Sequence, residues 1–133
     1  MTRLELKNRL NIYNVLFVED DKVISEEMVE FLGRFFKNVY YANNGADAIE
    51  LFKLHDIRLV ITDIKMPTLD GLEMALVLKD LNPNIPIITI TAHNEIDMLE
   101  KIKECKIDYY IGKPFEPNKL IEKFIEIVNN DKI

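Results

Sequence analysis

Four short runs of the chain are almost wholly apolar and rich in β-branched or aromatic residues: VLFV at 15–18, LVIT at 59–62, IPIITIT at 85–91 and YYIG at 109–112. Each ends in polar or turn residues, as strands buried on both faces of a sheet do. A more polar run, NVYYA at 38–42, fits an edge strand of the same sheet. The segments between and after the runs carry apolar residues at helical spacing, which predicts helices over 23–36, 45–54, 72–81, 96–104 and 118–128. In the last of these, Leu120, Ile121, Phe124 and Val128 form one stripe.

Strand and helix therefore alternate five times. Such alternation needs right-handed crossovers between parallel strands and places helices on both faces of the sheet, so the expected class is α/β with a doubly wound, five-stranded parallel sheet. The pattern alone leaves the strand order open. It does say where chemistry belongs, in the crevice beyond the carboxyl ends of the strands. The first thirteen residues, with Leu4, Leu6, Leu10 and Ile12, fit neither period and are left as an unassigned N-terminal extension (1–13) ahead of a domain over 14–133.

Length and charge narrow the picture. A chain of 133 residues fits one core. Its 23 acidic against 17 basic residues, a formal charge of -6, lack the basic footprint that direct nucleic-acid binding needs. Cys105 is the single cysteine, too few for a disulfide framework and without partners for a zinc site, which points to a reducing, cytoplasmic setting. No apolar run is long enough to span a bilayer and the opening segment lacks the core of a signal peptide, so no membrane association is expected.

The residues that follow the strands are Glu19-Asp20-Asp21, Asp63, Thr91-Ala92 and Lys113-Pro114. Singly each has a bland reading: Asp20 or Asp21 caps a helix, Asp63 opens a turn, Thr91 is a strand residue and Lys113 is a solvated charge. Together they are a different object. Glu19, Asp20 and Asp63 converging in one crevice repel one another unless a cation sits among them, and an all-oxygen donor set with room for water suits Mg²⁺. With a metal, Lys113 and the Thr91 hydroxyl arranged around a phosphoryl group, a carboxylate can act as nucleophile and form an aspartyl phosphate. Asp63, after the central strand, is best placed to do so.

Four motifs in order, VLFVEDD at 15–21, LVITDIKMPTLDGLEM at 59–74, ITITAH at 88–93 and YYIGKPF at 109–115, resemble the receiver domains of response regulators in two-component signalling, over about residues 14–128. The resemblance implies a flavodoxin-like (βα)5 fold with strand order 2-1-3-4-5. It makes Asp63 the phosphorylated residue, Asp20 a direct Mg²⁺ ligand, Glu19 an acid that holds the metal through water, and the Lys65 carbonyl a further ligand. It casts Thr91 and Tyr110 as the switch pair and Lys113 as the partner of the phosphoryl oxygens, with a cis Lys113-Pro114 bond. Asp21 has no such role and is read as a helix cap. Met66-Pro67 and Asp70-Gly71 shape the loop after Asp63.

The same resemblance implies a signalling domain that assists its own phosphorylation and dephosphorylation rather than an enzyme with a separate substrate. Its phosphodonor would be a sensor histidine kinase, a phosphotransfer protein or a small phosphodonor. The output surface would lie over residues 96–119, the fourth helix, fifth strand and start of the fifth helix of the repeat, and a homodimer could form through it. Lys65 and His93 stand where the chemotaxis member has an amide and an acid, and are expected to lengthen the life of the phosphoryl group.

Other readings fare worse. A nucleotide or flavin module of the same fold needs a glycine-rich phosphate cradle, and none of the four glycines forms one. An aspartate-nucleophile phosphatase places a second acid two residues after the nucleophile, where this chain has Lys65. A constitutive interaction module would lack one of Asp20, Asp63, Thr91 or Lys113, and all four are present. Whether the chain is a stand-alone regulator, or a receiver belonging to a transcription factor, signalling enzyme or hybrid kinase, stays open.

Overall fold

The computed structural model describes residues 1–66, 69–92 and 96–133, with the side chains of 92 and 96–98 excepted. His93 and Pro67 lie outside the described residues. Five strands, β1 (Asn14–Val18), β2 (Asn38–Ala42), β3 (Ile57–Asp63), β4 (Ile87–Ala92) and β5 (Tyr109–Lys113), form one parallel sheet in the order β2-β1-β3-β4-β5. The expected class and strand order both hold. Helices α1 (Arg3–Leu10), α2 (Lys22–Gly33), α3 (Gly45–Leu54), α4 (Gly71–Leu81), α5 (Ile96–Glu104) and α6 (Pro117–Asn129) connect and cover the strands.

Period-two alternation along the strands sends their side chains to two cores. Val15, Phe17, Leu59, Ile61, Ile88, Ile90, Tyr109 and Ile111 face one side, where they pack with Leu120, Ile121 and Phe124 of α6. Leu16, Val18, Val60 and Ile87 face the other, against Ala48 of α3, Met74, Ala75 and Leu78 of α4, and Ile102 of α5. Burying each such side chain stabilises the fold by about 1.5–3 kcal/mol, which is why nearly unbroken apolar strands mark a sheet covered on both sides.

The structure departs from the sequence reading at the N-terminal segment, at the end of α2 and at the start of β4. The unassigned segment contains α1, capped by the Thr2 hydroxyl, which accepts from the Glu5 amide at 3.1 Å. Leu6 and Leu10 of α1 are fully buried in the α6 core, four residues apart on one face, whereas Leu4 and Ile12 are exposed. The helix expected over 23–36 ends at Gly33. Phe35 and Phe36 extend its apolar run, but their amides both donate to the Leu32 carbonyl in a turn that folds the two rings into the core. β4 starts at Ile87 rather than 85, because Pro86 has no amide to give to the ladder.

Because the sheet is parallel, the segments after β1, β3, β4 and β5 leave from one edge. Consecutive connections diverge to opposite sides of β1, so the crevice of the switch point opens between β1 and β3.

Candidate functional site

Each acid is delivered to this crevice by a local rule. Glu19 is the first residue past β1, and its amide donates to the Ala42 carbonyl at 3.1 Å, continuing the β1–β2 ladder by one bond. Asp21 caps α2, its carboxylate accepting from the amides of Val23 at 3.0 Å and Ile24 at 3.1 Å. That is the role foreseen for it, and it spends Asp21 on the helix while Asp20 stays exposed at the mouth. Asp63 ends β3, 8 % exposed, with Oδ1 accepting from the Ile64 amide at 2.7 Å.

The loop after Asp63 is tied down just beyond the site. The Gly71 amide donates to the Ile64 carbonyl at 2.8 Å, and Asp70 caps α4 by accepting from the Glu73 amide at 2.8 Å. A Cβ on Gly71 would stand 2.1 Å from the Asp63 carbonyl oxygen, so only glycine lets α4 begin this close to β3.

Lys113 ends β5, two strands from Asp63, and its ammonium donates to Asp63 Oδ2 at 2.7 Å, with Glu19 Oε2 3.8 Å away. Burial works against the charged ammonium, but the hydrogen bond and charge of Asp63, with Glu19 and Asp20 behind them, more than offset it. Together they hold the Lys113 pKa above the usual lysine value. The Lys113-Pro114 peptide is cis, as expected.

Glu19 shows the strain of the arrangement. It is 1 % exposed; burial, and then the charge of Asp63, push its carboxyl from 4.5 to about 7 against the pull of Lys113. Oε1 accepts from the Asp21 amide at 3.2 Å, while Oε2 is buried without a hydrogen-bond partner among the described residues. A buried, unmated carboxylate oxygen is costly, and it marks a place where a further positive group belongs. Glu19, Asp20 and Asp63 offer oxygens that all lie within 4.8 Å of one another. Three oxygen donors so close, one of them unmated, fit a hard divalent cation.

The remaining predicted site residues lie on β4, on β5 and just past β3. Thr91 is buried on β4 and pairs with Gly112, while Tyr110 on β5 is 44 % exposed and pairs with Thr89. Lys65 lies two residues past β3 with an exposed side chain. Sequence reasoning missed Tyr41, whose hydroxyl donates to the Glu19 carbonyl at 2.5 Å. Its place at the end of β2, beside the β1 terminus, was the available signal; the register that brings it there was not. Among the described residues no helix is long and apolar enough to cross a membrane.

A doubly wound sheet with an acidic cluster and a lysine at its carboxyl edge defines an α/β domain whose polar site lies at the switch point of the sheet. Comparison with known proteins narrows this: the response regulator receiver domain model matches residues 15–125, and the chain belongs to that family. It is 36 % identical over 120 residues, 89 % of this chain and 52 % of the other, to a probable transcriptional regulator, ycf29, of Pyropia yezoensis. It is 34 % identical over 110 residues, 82 % and 48 % of the two chains, to the uncharacterized transcriptional regulatory protein YbdJ of Bacillus subtilis. The chain thus spans about half the length of these relatives. Among solved structures, a response regulator receiver domain protein from Clostridium thermocellum superposes with a TM-score of 0.81 at 25 % identity, over 91 % of this chain and 98 % of that one. The family is a signalling domain of two-component systems, and its members bind Mg²⁺ at an acidic pocket.

Proposed function

We propose that this chain is a phospho-accepting receiver in which Asp63 takes a phosphoryl group from a phosphohistidine or a small phosphodonor. The observation that carries the reading is the meeting of Lys113 Nζ and Asp63 Oδ2 at 2.7 Å beside two further carboxylates. Glu19, Asp20, Asp63 and the Lys65 carbonyl would hold Mg²⁺, with Glu19 acting through water. When bound, the ion neutralises charge on the transferring phosphoryl oxygens.

The chain's own residues supply the rest. A carboxylate oxygen of Asp63 attacks phosphorus; the O–P bond forms as the bond to the donor's nitrogen or oxygen breaks, and the leaving group departs with that electron pair. Lys113 then exchanges its carboxylate partner for a phosphoryl oxygen, a charge-assisted hydrogen bond of the same kind. Thr91 donates its hydroxyl to another phosphoryl oxygen, and Tyr110 follows by turning from solvent toward the core. Contacts made in only one of two arrangements bias the equilibrium between them.

The surface over residues 96–119 carries the change to an output domain or partner, or to a second copy of the chain. A sensor histidine kinase or phosphotransfer protein is the natural donor, and Lys65 and His93 lengthen the life of the phosphoryl group. The setting is the cytoplasm.

The test is backbone NMR of the domain with Mg²⁺ and beryllofluoride, a phosphoryl mimic. The expected result is saturable shifts around Asp63, Thr91 and Tyr110 that are absent in Asp63→Ala. Shifts with Mg²⁺ alone and none on adding beryllofluoride would instead leave a constitutive interaction module of receiver fold.

A further inference from the structure

Glu19, the acid nearest the end of β1, has both of its backbone hydrogen-bonding groups held by the end of β2. Its amide donates to the Ala42 carbonyl at 3.1 Å, and its carbonyl accepts from the Tyr41 hydroxyl at 2.5 Å. The Tyr41 ring sits 6.2 Å, centroid to centroid, from that of Phe17, which is fully buried in the core. The phenol is thus a rigid arm, anchored on the core and reaching to the acidic turn.

The Glu19 carbonyl and the Asp20 amide belong to one planar peptide unit. Pinning the carbonyl therefore sets the direction in which the chain leaves Glu19 and where Asp20 stands relative to Asp63. The inner end of the turn is fixed as well, because Glu19 Oε1 takes the Asp21 amide at 3.2 Å. We infer that Tyr41 is a positioning residue for the cation-binding acids: its hydroxyl orients the peptide from which Glu19 and Asp20 project, so that their oxygens are gathered with that of Asp63 before a cation arrives. This rests on the reading of the three acids as the Mg²⁺ site.

A purely structural role is the bland alternative, and the surroundings argue against it. Tyr41 is 37 % exposed and borders an open hollow of about 570 Å³ shared with Asp20, Ser25 and Asn43. Water from that hollow can serve the Glu19 carbonyl once the hydroxyl is gone, so folding loses little. What is lost is the ordering of the turn, which binding must then supply.

The experiment compares wild type, Tyr41→Phe, which keeps the ring, and Tyr41→Leu, which removes it. Three quantities are read: the Mg²⁺ dissociation constant from the Asp21 amide shift, exchange of the amides of residues 19–21 in metal-free protein, and Tm. Tyr41→Phe is expected to bind Mg²⁺ about three- to tenfold more weakly, the worth of one hydrogen bond, with faster exchange confined to the turn and an unchanged Tm. Tyr41→Leu should show the same loss of affinity together with a lower Tm. Wild-type affinity in Tyr41→Phe, or exchange raised throughout the molecule with a lowered Tm, would overturn the inference alone. A wild-type protein without any Mg²⁺-dependent shift would overturn the reading of the acids and this inference with it.

Discussion

The ammonium of Lys113 stands 2.7 Å from Asp63 Oδ2 and 3.8 Å from Glu19 Oε2, so a single cation from the edge strand β5 serves two acids that arrive on β1 and β3. Its position answers a charge problem that the acids create, and it puts the lysine in reach of any group bonded to Asp63. Lys113→Gln is expected to slow phosphorylation of Asp63 by about 10²-fold, the usual cost of losing one electrostatic stabiliser of transferred charge. It should also raise the Glu19 pKa above about 7, since Lys113 is among the groups that pull it down. Rates with acetyl phosphate and a carboxyl-detected NMR titration check the two halves separately.

Glu19 gives the metal-free protein an unusual pH dependence. Its carboxyl is at 4.5 when unperturbed and about 7 in the folded chain, so the folded state holds the proton more tightly than the unfolded one does. Below pH 4.5 both states are protonated and nothing is lost. Between 4.5 and 7 the unfolded chain ionises first and stability falls as pH rises, by at most about 1.4 kcal/mol per pH unit, levelling off above 7. Glu19→Gln removes this loss. In metal-free buffer its Tm should exceed that of wild type at pH 8, with the gap closing toward pH 5.

Two glycines make opposite cases. Gly71→Ala would drive a Cβ to 2.1 Å from the Asp63 carbonyl oxygen, and relief requires α4 to move off the end of β3. We expect a cost of about 2–3 kcal/mol and a slower phosphorylation reaction. Gly33→Ala, at the end of α2 with no atom within 4 Å of the added carbon, should stabilise by roughly 0.5 kcal/mol through the unfolded chain. Denaturant midpoints of the two variants measure both.

The N-terminal helix supplies a contrast within one element. Leu6 and Leu10 are buried against the α6 core while Leu4 is 67 % exposed. Leu6→Ala is expected to cost ~3 kcal/mol and Leu4→Ala close to nothing. Thermal unfolding of the two variants decides whether α1 is part of the cooperative unit.

Most of the architecture was legible because strands covered on both faces must be apolar on both, and helices between them must show one apolar stripe. α1 escaped for a physical reason. Its eight residues bury only two leucines, one turn apart, and the exposed Leu4 and Ile12 blur the spacing. The end of α2 was misread because Phe35 and Phe36 are core residues in a turn, and burial does not announce backbone conformation.

At the site, residue types and their positions after the strands were enough to pick out Glu19, Asp20, Asp63, Thr91 and Lys113. The order of the strands decides which of these meet, and that came from resemblance rather than pattern. Beyond reach were the unmated Glu19 Oε2 and the Tyr41 hydroxyl on the Glu19 carbonyl. The Tyr41 contact depends on the β1–β2 register, Val18 opposite Ala42, and the Glu19 environment on side chains from β3 and β5, neither of which single-strand patterns carry.

The most direct measurement is intact-mass and peptide-mapping mass spectrometry of the domain incubated with acetyl phosphate, with and without Mg²⁺, for wild type and Asp63→Asn. The expected result is one phosphoryl group per chain, on Asp63, formed only when Mg²⁺ is present and absent from the variant. A phosphoryl group on another residue, equal labelling of Asp63→Asn, or no labelling of wild type with Mg²⁺ bound would contradict the assignment of Asp63 as the acceptor.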